Sequence, residues 1–260
     1  MKNDIKKILI KNSINKKITN ITLNNKNINN IVSNDIVSNN IVSNNINKCV
    51  INLKKRTDRL KKFFHNCPFD DVEIIYGFDG KNSDAENNYD KLKMEKFNKL
   101  KLGEIGCFIS HIRIYEYMIN NNIELMLIME DDAIFCDNFI NKFDLIKTEL
   151  ENKQNIIFIG GRFTSNYVTF KKDYIKISNK KYIIKHNKLS KSSDLDRTTH
   201  AYLIFKKCAL NLLNQFNKST NITDPFDHWL IKTLKKNNLD IHSTLPLLCH
   251  SPFIGDSDIR

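Results

Sequence analysis

The chain has 260 residues, 41% of them hydrophobic, enough to bury the core of one domain of about 200 residues with an appendage. Its net charge of +12 is concentrated in two segments: residues 1–48 carry +6 (eight Lys, two Asp) and residues 171–191 carry +7 (eight Lys, one Asp). Because the remainder is close to neutral, the charge argues against a broad nucleic-acid-binding face.

The first 48 residues form a low-complexity tract rich in Asn, Lys and Ile, in which "IVSND IVSNN IVSNN" repeats a five-residue unit. This composition is typical of disorder, although the Ile-Val pairs would also suit a small stack of β-strands. We therefore predict a disordered tail over residues 1–48 and a folded domain over residues 49–260.

From Cys49 onwards, short apolar runs alternate with helical patterns. The runs "CVINL", "VEIIYGF", "LMLIM", "NIIFIG" and "AYLIF" predict strands, and the lysine-rich "YIKISNKKYIIK" predicts an exposed hairpin. Helices are predicted near Thr57, from Gly103, over "DNFINKFDLIKTEL", over "KKCALNLLNQF" and from "DPFDHWL". The alternation predicts an α/β domain with a mainly parallel central sheet, which binds ligands beyond the carboxyl ends of its strands.

The stretch "LMLIMEDDAIF" places Glu130, Asp131 and Asp132 at such an end. Burying ionised carboxylates is costly unless something compensates, so the triplet is either a solvated turn, with Asp137 capping the next helix, or a site for Mg²⁺ or Mn²⁺. Spacing alone does not separate the two interpretations.

Three other motifs carry candidate residues, each with a structural alternative. Arg56 and Arg59, beside a helix N-terminus, suit a phosphate, but they also suit a solvated first turn. Glu104 and His111 share a helical face, where a single His is more often structural than catalytic. In "DPFDHWL", Asp224 is predicted as the N-cap, and Asp227 is either a first-turn acid or a general base.

The six cysteines are scattered, with no C-x-x-C pair, and the chain shows no signal peptide and no apolar run of membrane-spanning length. These features predict free thiols in a reducing compartment and a cytoplasmic protein without a transmembrane segment.

The order of the motifs is more specific than any one of them. The blocks "INLKKRTDRL", "GFDG", "GEIGCFISH", "MEDDAIF", "AYLIFKKCALNLL" and "DPFDHWL" follow one another over about residues 49–260, and their order resembles glycosyltransferase family 25. That family includes lipopolysaccharide-biosynthesis galactosyltransferases and procollagen galactosyltransferases.

The resemblance implies a GT-A-like nucleotide-sugar-binding fold, a UDP-sugar donor, Mn²⁺ or Mg²⁺, and inversion at the anomeric carbon. It implies a galactose or glucose donor and a hydroxyl acceptor on a glycan, a lipopolysaccharide-like molecule or hydroxylysine. On this basis Asp132 is the chief metal ligand, with Glu130 and Asp131 supporting it and His250 as a further candidate. The nucleotide pocket would be lined by Asn52, Leu53, Arg56, Arg59 and Asp79, and Asp227 would be the catalytic base.

Two other classes stay open at this point. Paired carboxylates would also suit a glycoside hydrolase, which needs neither nucleotide nor metal. The lysine-rich segments would suit a non-catalytic basic binding or structural protein. Product formation from a UDP-sugar separates the transferase from both.

Overall fold

The structure is a computed structural model, and it describes residues 46–82, 93–150, 155–163, 183–185, 195–196, 199–244 and 247–250. Nearly all of the predicted tail lies outside these residues, as does the predicted lysine-rich hairpin up to residue 182.

The described elements follow the predicted order, with ends displaced by a few residues. The first half comprises β1 (Asn47–Asn52), α1 (Thr57–Asn66), β2 (Val72–Tyr76), a 3-10 turn (Gly80–Asn82), α2 (Leu102–Asn120), β3 (Leu125–Glu130), β4 (Ile134–Phe135) and α3 (Phe139–Lys147). The second half comprises β5 (Ile156–Phe158), β6 (Arg162–Phe163), β7 (Ile183–Lys185), β8 (Leu195–Asp196), β9 (Ala201–Phe205), α4 (Lys206–Lys218), α5 (Phe226–Lys236), β10 (Ile241–Thr244) and β11 (Cys249–His250).

Seven strands form the central sheet in the order β2-β1-β3-β9-β5-β10-β7. The strand β1 is parallel to both β2 and β3, and β5 is parallel to β10. The strand β9 is antiparallel to its neighbours β3 and β5, and β7 is antiparallel to β10. Five of the seven strands therefore point the same way, which confirms the predicted α/β class and mainly parallel sheet.

Helices cover both faces of the sheet, so alternate residues of its central strands are buried on opposite sides. Met126 and Ile128 of β3 pack in one apolar cluster with Phe108 of α2 and residues of α4 and α5. Leu127 lies in the other cluster, with residues of α1 and α3. This layering buries the apolar faces of the helices. The polar residues of the candidate site lie at the carboxyl-end edge of the sheet.

Two strands of the central sheet differ from the predictions, and the short strands β4, β6, β8 and β11 were not predicted. The described part of the predicted hairpin, β7, is an edge strand of the main sheet with Ile183 buried, rather than an exposed ribbon. The strand β10 was not predicted, because its sequence "IHST" is mostly polar, yet His242, Ser243 and Thr244 are all buried in the sheet.

Candidate active site

The three acidic residues stand where β3 ends, between the strands on its two sides. The backbone N–H of Glu130 donates to the carbonyl of His200 at the start of β9 (2.9 Å), and that of Asp131 donates to Ile51 of β1 (3.2 Å). The N–H of Ala133 then donates back to the Glu130 carbonyl (3.1 Å), which turns the chain. The acids are therefore fixed by the sheet rather than carried on a solvated loop.

Asp131 is the best-partnered of the three. Its Oδ2 accepts from Nδ2 of Asn52 (2.6 Å), and its Oδ1 pairs with Arg59 (2.6 Å). The side chains of Asp131 and Arg59 are only 8% and 14% exposed. Burial raises the pKa of Asp131 to about 6 despite the opposing charge of Arg59. Because both of its oxygens are engaged, Asp131 anchors the turn.

Asp132 is different, because one of its oxygens has no partner among the described residues. Its Oδ2 lies 3.4 Å from Arg59, whereas its buried Oδ1 accepts no hydrogen bond from any residue that the structure describes. Burial and the nearby charge of Glu130 raise the pKa of Asp132 to about 7. A buried acceptor without a donor is costly in the isolated protein, and it is the arrangement expected of a cation ligand.

Glu130 belongs to a buried group of polar side chains that contact one another in sequence. Its Oε1 accepts from the hydroxyl of Thr199 (2.8 Å) and lies 3.4 Å from Nε2 of His111. The other ring nitrogen of His111 lies 2.8 Å from the hydroxyl of Tyr202, which in turn lies 3.1 Å from that of Tyr115. Burial raises the pKa of Glu130, but His111 and Thr199 outweigh burial and bring the pKa below its ordinary value.

The first turn of α5 packs against this buried group of polar side chains. The ring of Phe226 stacks on that of His111, with centroids 4.1 Å apart and planes 4° from parallel. The next residue, Asp227, accepts from the N–H of His228 (2.9 Å). The pKa of the Cys107 thiol on α2 is raised by burial and also by the charges of Glu130, Asp227 and Asp132. Asp227 is therefore close enough to act electrostatically on the same side chain as the acidic residues of β3.

The predicted cap at Asp224 is wrong. The helix begins at Phe226 with Pro225 in the cap position and no side-chain capping bond, and Asp224 instead pairs with Lys232 (2.7 Å). Glu104, by contrast, accepts from the N–H of Lys101 (2.7 Å), which gives it a capping role at α2.

The loop after β2 lies against the start of α2, and this contact explains the second glycine of "GFDG" and of "GEIG". A Cβ on Gly80 would lie 1.9 Å from the carbonyl oxygen of Leu102, and a Cβ on Gly106 would lie 2.7 Å from that of Phe78. The hydroxyl of Ser110 accepts from the N–H of Phe78 (2.8 Å) and fixes the contact. This close approach positions Asp79, which pairs with Lys55 (2.5 Å).

The other predicted residues are spread around the same edge. Arg59 contacts Asp131 and Asp132, and Arg56 pairs with the exposed Asp58 (3.2 Å) while its carbonyl accepts from Asn52 (3.0 Å). Leu53, partly buried, follows β1 directly. His250 is exposed on β11, opposite Ile134 of β4.

The side chains of Cys107, His111 and Glu130 bring ligand-type atoms within 4.8 Å of one another, the one such trio among the described residues. The sequence prediction gave His111 a structural role and assigned no role to Cys107, Thr199 or Tyr202. The "GEIGCFISH" block did contain a signal, because Cys107 and His111 lie four residues apart and so share a helical face.

The structure is a mixed α/β domain with three acidic residues at the carboxyl end of a central strand, as the resemblance to a glycosyltransferase predicted. The model of glycosyltransferase family 25 (LPS biosynthesis protein) matches residues 45–229. The chain belongs to this family.

Individual relatives match parts of the chain. A glycosyltransferase 25 family member of Aedes aegypti is 36% identical over 102 residues, covering 33% of this chain and 16% of its own length. Procollagen galactosyltransferase 2 of Mus musculus is 29% identical over 124 residues, covering 43% of this chain and 20% of its own. The chain thus spans a fifth or less of the length of these relatives.

Among solved structures, apo mouse xyloside xylosyltransferase 1 aligns with 77% of this chain and 72% of its own at 11% identity, with a TM-score of 0.37. In the residues described for the present chain, no helix combines the length and apolarity needed to cross a bilayer.

Proposed function

We propose that this chain is an inverting, metal-dependent hexosyltransferase that uses a UDP-sugar donor. The favoured sugar is galactose or glucose, and the acceptor is a hydroxyl of a glycan, a lipopolysaccharide-like molecule or hydroxylysine. The galactosyltransferase name of the mouse relative supports the choice of sugar. The observation that carries the proposal is the acidic end of β3, where Asp132 keeps a buried oxygen without a described partner.

The residues at this edge fit a divalent cation. Burial and the charge of Glu130 raise the pKa of Asp132 although Arg59 lies nearby, so a bound cation would favour the ionised form of Asp132. Asp132 would be the chief ligand and Glu130 a second, with Asp131 holding the turn and His250 as the further candidate. The cation, when bound, would neutralise the charge that develops on the leaving diphosphate.

Asn52 has the right chemistry to bind the donor. Its amide nitrogen is used by Asp131 and by the Arg56 carbonyl, whereas its buried Oδ1 has no partner among the described residues. An amide oxygen held in this way is a fixed acceptor for a hydroxyl or N–H of a nucleoside. Leu53, Arg56, Arg59 and Asp79 would complete the nucleotide pocket around the carboxyl ends of β1 and β2.

Asp227 is the proposed base. It would take the proton from the acceptor hydroxyl as the oxygen attacks the anomeric carbon and the bond to UDP breaks, which inverts that carbon in a single displacement. The stacking of Phe226 on His111 supports this role, because it holds the first turn of α5 against the residues that contact Glu130.

The test is a panel of UDP-sugars, with and without Mn²⁺, in which UDP release is followed. One sugar should support release in Mn²⁺, and Asp132→Ala should abolish that release while the protein stays folded. Asp137→Ala is the matched control, since Asp137 is an exposed acid five residues further along. Full activity of Asp132→Ala, or full activity of the wild type in EDTA, would contradict the metal role.

A non-catalytic binder would behave differently in the same panel. It would bind UDP in calorimetry but release none from any donor, with or without metal. That result would support the nucleotide-binding pocket and contradict the transferase activity.

A further inference from the structure

Cys107, His111 and Glu130 form a compact group of three different ligand types. Cys107 and His111 lie one turn apart on α2, and Glu130 reaches them from the end of β3. Their ligand atoms lie within 4.8 Å of one another, and Nε2 of His111 is 3.4 Å from Oε1 of Glu130. Zinc bound about 2.0–2.3 Å from its ligands holds them about 3.5 Å apart, so modest side-chain movement would close the trio around an ion.

Two of the three side chains are oriented by further groups, as metal ligands usually are. The hydroxyl of Thr199 donates to Glu130 (2.8 Å), and Nδ1 of His111 lies 2.8 Å from the hydroxyl of Tyr202. A tyrosine hydroxyl can accept as well as donate, so Tyr202 can support the tautomer with a proton on Nδ1. A metal ion that enters the site would displace the proton on Nε2 to solvent and leave this tautomer, with the lone pair of Nε2 available to the ion.

The electrostatic environment also favours a cation. Burial raises the pKa of the Cys107 thiol, and the charges of Glu130, Asp227 and Asp132 raise it further. The same negative charges would attract a dication, and a bound ion would displace the thiol proton to solvent, so that the thiol enters the site as a thiolate.

The position at Asp132 and the position formed by Cys107, His111 and Glu130 offer different ligand types and should therefore prefer different metals. Asp132 offers oxygen, which suits Mg²⁺ and Mn²⁺, whereas sulfur and imidazole suit a softer ion. We propose that Cys107, His111 and Glu130 form a second cation site, selective for Zn²⁺ or a similarly soft ion, beside the oxygen ligand at Asp132. Binding at this site is independent of the proposed function. If that function holds, zinc should inhibit turnover, because it would draw Glu130 away from the oxygen-bound cation.

The experiment uses Co²⁺ as a spectroscopic substitute for Zn²⁺ on the reduced, metal-free full chain. Binding should produce a thiolate-to-cobalt charge-transfer band in the near ultraviolet, and equimolar Zn²⁺ should remove it. Cys107→Ser should lose the band and bind Co²⁺ at least about 10-fold more weakly, since even outer-shell changes cost that much. Glu130→Gln should keep a thiolate band but weaken the affinity. A cooperative thermal transition checks folding, and Cys107→Ala replaces Cys107→Ser if the latter lacks one.

Cys136→Ser is the matched control. Burial raises the pKa of Cys249, and the nearby thiols of Cys136 and Cys67 raise it further, so a cobalt band from these cysteines must be excluded. The control should keep the full band. The proposal is overturned if the wild type gives no band, if the band survives in Cys107→Ser, or if it disappears in Cys136→Ser.

Discussion

The carboxyl end of β3 and the first turn of α5 both contribute a proposed active-site acid, but they hold these acids in different ways. At β3, Asp131 is buried between Asn52 and Arg59, and its neighbour Asp132 shares the same arginine. At α5, Asp227 is partly exposed and accepts a hydrogen bond from the next backbone N–H. Substitutions at β3 should therefore change stability and function together, whereas substitutions at α5 should separate them.

The largest effect is expected from Arg59→Leu. Removing the cation leaves Asp131 and Asp132 buried without their charge partner, and breaking such a pair costs roughly 3–5 kcal/mol of unfolding free energy. Denaturant unfolding at neutral pH measures this loss, and UDP release should fall with it.

Arg56→Leu is the control for this prediction, because the Arg56 side chain (15% exposed) is about as buried as that of Arg59, but it pairs with Asp58, which is 66% exposed. An exposed pair contributes at most about 1 kcal/mol. Equal losses in the two variants would show that the arginine stems, and not the buried charges, stabilise this edge.

Asp227→Asn should affect catalysis with little change in stability. Turnover should fall by about 10²–10⁴, the usual contribution of a positioned base, and UDP-sugar affinity should persist because the base contacts the acceptor. Calorimetric binding of the donor, steady-state UDP release and a thermal transition measure the three quantities. A variant that loses donor affinity in parallel with turnover would place Asp227 in the nucleotide pocket instead.

The pH dependence of stability is a smaller test of the burial of Asp132. In the folded protein its pKa is raised from 3.8 to about 7, so the folded state binds the proton more tightly than the unfolded chain. The unfolding free energy of metal-free protein should therefore decrease as pH rises from about 4 to 7 and level off above that. The lowered pKa of Glu130 acts in the opposite direction, but only at more acidic pH.

Asp132→Asn isolates this contribution, because Asn resembles the protonated acid and does not titrate. The difference in unfolding free energy, wild type minus variant, should fall across pH 4–7 in EDTA. A difference that is constant with pH would mean that Asp132 is as solvated as in the unfolded chain.

The sheet and the acidic end of β3 could be predicted from the sequence because strand formation depends on the residues of the strand itself. The apolar run before Glu130 has the length typical of a buried strand, and parallel strands bring their carboxyl ends to one edge. The partners of the acids could not be predicted in this way. His111 meets Glu130 only through packing of α2 on the sheet. Tyr202 of β9 and Thr199 in the turn before it lie about 70 residues beyond Glu130 in the chain.

The smallest effect is expected from Asp224→Asn, the counterpart of Asp227→Asn three residues earlier. Its pair with Lys232 joins side chains that are 31% and 67% exposed, so the variant should lose only about 0.2–1 kcal/mol. Turnover should stay close to that of the wild type, because Asp224 contributes an exposed ion pair and no described contact to the acids of β3. UDP release should be measured for both variants under the same conditions, because Asp224 and Asp227 lie on either side of Pro225 and each variant removes one carboxylate. If Asp224→Asn were the inactive variant and Asp227→Asn the active one, Asp224 would be the base and Asp227 would be an ordinary first-turn acid that favours the helix dipole.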